Sequence, residues 1–169
     1  MKKQTLRGVL PRYALTIPNV GDDIQVYRLN LNNSDINRNW KVTKFEVFPN
    51  MGVPWGLYNQ SIGPELVFVT LCLDEDGATA YGSFGDNRQI GWVACTSSSS
   101  PIAYRSYTDL NHVVVNDLYL GVWTIDTSDG AVDPTHIELN YVVEIEEVKS
   151  TDEEAIIQLI RERSQTDME

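Results

Sequence analysis

Apolar and polar positions alternate with a period of two along most of this chain, the pattern of β-strands with one buried face. The most apolar run is residues 111–123 (NHVVVNDLYLGVW). Val114, Leu118, Leu120 and Val122 fall on one side of it, and Val113, Val115, Tyr119 and Trp123 on the other. Valines and aromatics in both sets predict a central strand buried on both faces, with Asn116 and Asp117 as a bulge or a satisfied internal polar pair. Residues 66–73 (LVFVTLCL) predict a second central strand. Residues 137–148 (IELNYVVEIEEV) alternate most cleanly: Ile137, Leu139, Tyr141, Val143 and Ile145 point one way, Glu138, Asn140, Glu144 and Glu146 the other, with Val142 the exception. We expect this half-wet strand to pair antiparallel with the run at 111–123.

The remaining segments are shorter or interrupted. Residues 9–17 alternate, but Pro11 lacks a ladder donor, so they predict an edge strand or an arm. Two strands, at 24–31 and 40–48, switch their apolar face midway, the second between Val42 and Phe45, which predicts bulges or sandwich corners. Residues 88–95 predict a strand with Ile90 and Trp92 on one face, and 104–107 a short, weakly pairing one. Asp76-Gly77 and Asp129-Gly130 read as tight turns, and the Ser-rich stretch at 96–101 as an exposed loop. Residues 49–64 hold three Pro and three Gly, a long loop whose Trp55 and Tyr58 we read as a lid over the core.

After residue 149 the period becomes helical. Ser150–Glu153 and Thr151–Glu154 each fit a capping box, and Ile156, Leu159 and Ile160 follow on one face. A helix of about three turns needs a docking surface, either its own domain or a neighbouring subunit. The pattern as a whole predicts an all-β, antiparallel β-sandwich with a short C-terminal helix. Its expected divisions are an N-terminal arm or edge strand at 1–23, a sandwich at 24–149, and a helix and tail at 150–169.

Composition narrows the class. A chain of 169 residues with 42% apolar and 22% charged positions reads as one globular domain. No apolar run approaches the roughly 18 residues of a membrane span, so no membrane partner is expected. The basic start lacks the long apolar stretch of a secretory signal. The net charge is −11 and unevenly spread: residues 1–50 hold eight of the thirteen Lys and Arg with four acids, leaving five bases and twenty acids for the rest. So acidic a surface repels phosphate backbones, and any nucleic-acid contact falls to Lys2, Lys3, Arg7 and Arg12. Cys72 and Cys95 both sit in apolar segments and read as small buried hydrophobes, with a disulfide open only if their strands are neighbours.

Candidate chemistry is sparse. His112 and His136 are isolated, and no nucleophile elbow, His-Glu-x-x-His or phosphate-binding glycine loop occurs. Asp74-Glu75-Asp76 lacks the later oxygen ligands of a calcium loop. Asp117 is the carboxylate expected to be buried, as a hydrogen-bonded core residue paired with Arg88 or Arg105. The residues therefore point away from an enzyme, and to no catalytic, metal or cofactor site.

Several segments recur together in a recognisable order: Trp40-Lys41-Val42 with Phe45, the run Asp86-Asn87-Arg88-Gln89-Ile90-Gly91-Trp92, the run from His112 to Tyr119, and Tyr141, Glu144 and Glu147. With the closing helical segment from Asp152 to Gln165, they resemble capsid proteins of small, circovirus-like environmental single-stranded DNA viruses. The resemblance spans roughly residues 38–165. It implies a single jelly roll of about eight strands that self-assembles into an icosahedral shell around a small genome, located in the virion. Its implied partners are other copies of the chain, through Ile156, Leu159 and Ile160, and single-stranded nucleic acid through the N-terminal segment. In place of the long Arg-rich arm found in many such proteins, this chain has a short, mildly basic start. The competing reading is a carbohydrate-binding sandwich with Trp55, Tyr58, Tyr104 and Tyr107 as sugar-stacking residues. A third is an accessory subunit that uses its acidic face.

Overall fold

The computed structural model describes residues 2–14, 25–31, 38–49, 66–79, 88–96, 104–125 and 135–151, together with Glu153, Glu154, Ile156, Ile157 and Ile160. Among them are nine strands, a short helix and the helical residues that follow Thr151: β1 (Lys3–Ala14), β2 (Gln25–Leu29), β3 (Arg38–Pro49), β4 (Leu66–Cys72), α1 (Glu75–Thr79), β5 (Gln89–Thr96), β6 (Tyr104–Thr108), β7 (Val113–Val114), β8 (Leu118–Ile125) and β9 (Thr135–Lys149). They form two antiparallel sheets, one of four strands in the order β1-β9-β3-β7 and one of five in the order β2-β8-β4-β5-β6.

The pairing is nested. β1 pairs with β9, β2 with β8, β3 with β7, and β4 with β5. The first half of the chain thus runs back along the second as one long antiparallel ribbon. Rolling that ribbon places successive rungs in alternate sheets, and the pairs β3·β9 and β4·β8 then complete the two layers. This is a jelly roll, with β6 as an extra strand on the edge of the larger sheet.

Alternation supplies the core between the layers. Val42, Phe45, Val143 and Ile145 point inward from the four-stranded sheet, and Val69, Leu71, Leu118, Leu120 and Val122 meet them from the other. Each such buried side chain contributes about 1.5–3 kcal/mol of hydrophobic stabilisation. The face switch expected in β3 is present: its register against β9 shifts between Val42 and Lys44, so Val42 and Phe45 both reach the core. As expected too, β4 is central, β1 with its Pro11 lies on an edge, and β9 buries Leu139, Val143 and Ile145 while its other face is partly wet.

Other expectations are corrected. Residues 111–123 are two strands in different sheets, β7 and β8, with Val115–Asp117 as the corner between them. Only one side of that run is core: Val114, Leu118, Leu120 and Val122 are buried, whereas Val113, Val115 and Tyr119 are half-buried. β9 lies between β1 and β3 and does not pair with this run. In β5, Ile90 joins the core while Trp92 stacks outside it on Tyr107, because the register shifts between Leu71 and Cys72 where β4 meets Gly91 and Gln89. Asp76-Gly77 lies within α1 and makes no hairpin: Asp74 accepts a hydrogen bond from the Gly77 N–H at 2.6 Å, capping that helix. The expected lid at 49–64, apart from Pro49 at the end of β3, and the turn at Asp129-Gly130 lie outside the described residues.

α1 packs on the outer face of the five-stranded sheet. A methyl group at Gly121 would run into the Ala78 carbonyl and come within 2.7 Å of Thr70 Oγ1, so only glycine lets the helix lie this close. Thr70 and Cys72 are consequently buried on a face that would otherwise be wet. Cys95 sits opposite Val67 on β4, five residues from Cys72 and hence about 17 Å along the strand. A disulfide between the two cysteines is excluded by that separation.

Candidate functional site

The bases of the N-terminal segment belong to the sheet. Lys3, Arg7 and Arg12 lie on β1, and the Lys2 carbonyl accepts a hydrogen bond from the Glu147 N–H at 2.8 Å. Strand register sets what faces them. On the outer face of the four-stranded sheet, one row reads Lys3, Glu146, Lys41, the next Thr5, Glu144, Lys44, and the next Arg7, Val142, Glu46. An acidic central strand is therefore flanked by basic ones. The uneven charge along the sequence is folded into a checkerboard, which favours the pairing of β9 with β1 and β3.

Within it Lys3 Nζ lies 4.0 Å from Glu146 and Lys44 Nζ 3.0 Å from Glu46. The hydrogen bond to Glu46 raises the Lys44 ammonium above its ordinary range, with Coulombic attraction adding to it. Arg7 has no carboxylate across from it in register and makes no ion pair among the described residues. Of the four nucleic-acid candidates, Lys3 is thus shared with a carboxylate and Arg7 is the more available cation. Arg12 falls where only the β1 backbone is described.

Next to Arg7 the same face turns apolar. Val9, Asn140 and Phe48 form the following row, and both Val9 and Phe48 are exposed, with Val142 half-buried between them and Arg7. Hydrophobic side chains gathered on one wet face are a feature of contact surfaces.

At the opposite end of β9 the chain enters its closing helix. The Asn39 Nδ2 donates to Ser150 Oγ at 2.5 Å, tying the end of β9 to β3. Thr151 and Glu154 then complete a reciprocal capping box: the Thr151 N–H donates to Glu154 Oε2 at 3.0 Å, and the Glu154 N–H to Thr151 Oγ1 at 3.3 Å. Of the two capping boxes the sequence allows, this one forms. Glu153, Glu154, Ile156, Ile157 and Ile160 are helical, and all five are exposed. Ile156 and Ile160 therefore do not dock on the sandwich they follow, and Leu159 lies outside the described residues.

The aromatic candidates do not make one platform. Tyr104 and Tyr107 are both exposed but stand three positions apart on β6, hence on opposite faces. Tyr107 stacks on Trp92, with ring centroids 6.5 Å apart and planes at 28°. Sequence reasoning missed Trp92 as the inner half of this pair, although cross-strand register between β5 and β6 makes them neighbours. Trp55 and Tyr58 lie outside the described residues.

Asp117 is buried, as expected, but its partner is Arg28 and neither Arg88 nor Arg105. Arg28 Nε donates to Asp117 Oδ2 at 2.7 Å, its Nη2 forms an ion pair with the same oxygen, and the Leu31 N–H donates to Oδ1 at 2.8 Å. The carboxylate thus pins the end of β2 to the corner between β7 and β8. The hydrogen bond to Asp117 raises the Arg28 guanidinium further above its already high range. These contacts make Asp117 a structural clamp. Arg28 also lines an open cleft of about 370 Å³ between the edges of the two sheets, with Arg7, Asn30 and Tyr141. Burial pushes the Tyr141 hydroxyl above its ordinary range.

Among the described residues, no three His, Cys, Asp or Glu side chains converge on one point, and no helix is long and apolar enough to cross a membrane. Comparisons with protein-family models and with curated proteins find no match to this chain.

Proposed function

We propose that this chain is a coat protein, whose copies tile a closed shell around a small genome in a virion. The observation that carries the reading is the closing helix. Ile156, Ile157 and Ile160 stand in solvent on an element that the Thr151–Glu154 pair caps and that follows the Asn39–Ser150 tie at the end of β9. Three isoleucines left exposed in this way are stabilised by burial against another chain. The resemblance to capsid proteins of circovirus-like viruses supports a further copy as that other chain.

Cohesion then comes from protein contacts more than from nucleic acid, because β9 lines up its glutamates beside the bases of β1. Contact with single-stranded nucleic acid rests on Lys2, Lys3, Arg7 and Arg12. A second reading draws on the stacked pair of half-buried Trp92 and exposed Tyr107, which offers a sugar-stacking face. Negative-stain electron microscopy of the purified protein separates the two. Closed particles of uniform size support the coat protein. Monomers that bind a glycan array, and lose that binding on Tyr107→Ala, replace it with a carbohydrate-binding module.

A further inference from the structure

The coat-protein reading leaves open which surface receives the helix, and the outer face of the four-stranded sheet answers that. We infer that the isoleucine stripe of the closing helix of one copy docks on the Val9–Phe48 row of a second copy, with Glu153 directed at Arg7. The inference rests on that reading for self-association and adds the contact that produces it.

Three observations support it. The two surfaces match in chemistry. Ile156 and Ile160 are 50% and 60% exposed, and Val9 and Phe48 are 48% and 40% exposed on a face that otherwise carries charge. The charges match in position as well. Arg7 lies two residues from Val9 on the same face, about 7 Å away, and has no ion pair among the described residues. Glu153 lies one helical turn before Ile156 and Ile157, about 5 Å along the axis, so the acid reaches the base when the apolar surfaces meet.

Reach decides that the two surfaces belong to different copies. The Val9–Phe48 row is at Asn140, nine residues back along β9 from Lys149, a distance of about 30 Å. From Thr151, a helix folded back over its own sheet carries Ile156 only about 8 Å and Ile160 about 14 Å. It would lie beside Glu144 and Glu146, well short of Phe48, so a second copy must supply the row. Helix and row are different surfaces, so the contact either closes reciprocally as a two-fold pair or, head-to-tail, repeats into a ring, a shell or a filament.

Disulfide trapping tests this with the full-length chain. Phe48→Cys and Ile160→Cys proteins are prepared separately, mixed under mild oxidation, and compared with each alone and with the wild type. The expected result is a cross-linked dimer in the mixture that neither variant gives alone, accompanied by at least about a tenfold weaker self-association for Phe48→Asp and for Ile160→Asp. Ile160 lies outside the sandwich, so its variant stays folded and its circular dichroism is unchanged. If the wild type self-associates but the mixture gives no hetero-specific cross-link, this contact is wrong and the coat-protein reading stands. If the cross-link forms but microscopy shows no closed particles, the contact stands and the shell reading falls. A wild type that is monomeric at every concentration, with no cross-link, overturns both.

Discussion

Asp117 does at residue scale what no backbone pairing does: it joins β2 to the corner where the chain leaves one sheet for the other. Its two oxygens accept from Arg28 and from the Leu31 N–H, so truncation leaves a buried donor without a partner. Asp117→Ala is expected to cost about 1–3 kcal/mol in urea denaturation. Asp117→Asn, which keeps an oxygen for Leu31, should cost less. Equal stabilities for all three proteins would show that the clamp is ornamental. His112 gives a pH-dependent counterpart. Burial lowers its imidazole below the ordinary value, against a weaker opposing pull from Asp109. The unfolded chain therefore binds the proton more readily than the folded one. The stability contributed by neutral His112 is complete above its ordinary value near 6.5 and declines as pH falls through and below it. His112→Gln should flatten the stability profile between pH 7.5 and 5, and an unchanged slope would assign that dependence to the carboxylates alone.

At the scale of elements, β8 lies inside the five-stranded sheet between β2 and β4, with Leu118 wholly buried. Leu118→Ala should cost about 2–5 kcal/mol through the cavity it leaves, measured by thermal or urea unfolding. A neutral change would mean that the strand is not where the core is. The legibility of these elements in the sequence was uneven, and for physical reasons. Strand positions and inward faces could be read because burial imposes a period of two, as in β9, and the bulge after Val42 announced itself as a change of parity. The corner at Val115–Asp117 did not. Val114 and Leu118 both point inward from opposite sheets, so the alternation passes through the change of sheet without a break. Partners of β9 were illegible for a related reason: pairing depends on how the ribbon rolls, and no local pattern records that. The identity of Arg28 as partner of Asp117 followed the same rule, since the two residues lie 89 positions apart. Of the candidate site, Ile156 and Ile160 were read from spacing as one helical face and Ile157 was not, whereas the Val9–Phe48 row is a product of register across three strands.

At the scale of the whole molecule, charge and surface set opposing tendencies. A net charge of −11 keeps copies apart, while the exposed helix and the apolar row bring them together. Removing residues 151–169 should leave a folded sandwich, because the described helical residues are all exposed, but one that assembles poorly when followed by sedimentation. Normal assembly of the truncated protein would dismiss the helix from the interface.

The most direct test of self-assembly by protein contacts is light scattering of nucleic-acid-free protein across a range of salt. The screening length falls from about 30 Å at 0.01 M to about 3 Å at 1 M, so repulsion between the acidic copies fades while apolar burial persists. The account predicts scattering that rises with salt, and rises again on mild acidification toward the pI near 4.5. Assembly that appears only with added single-stranded DNA and dissolves as salt increases would contradict it, and would place cohesion in phosphate contacts through Lys2, Lys3, Arg7 and Arg12.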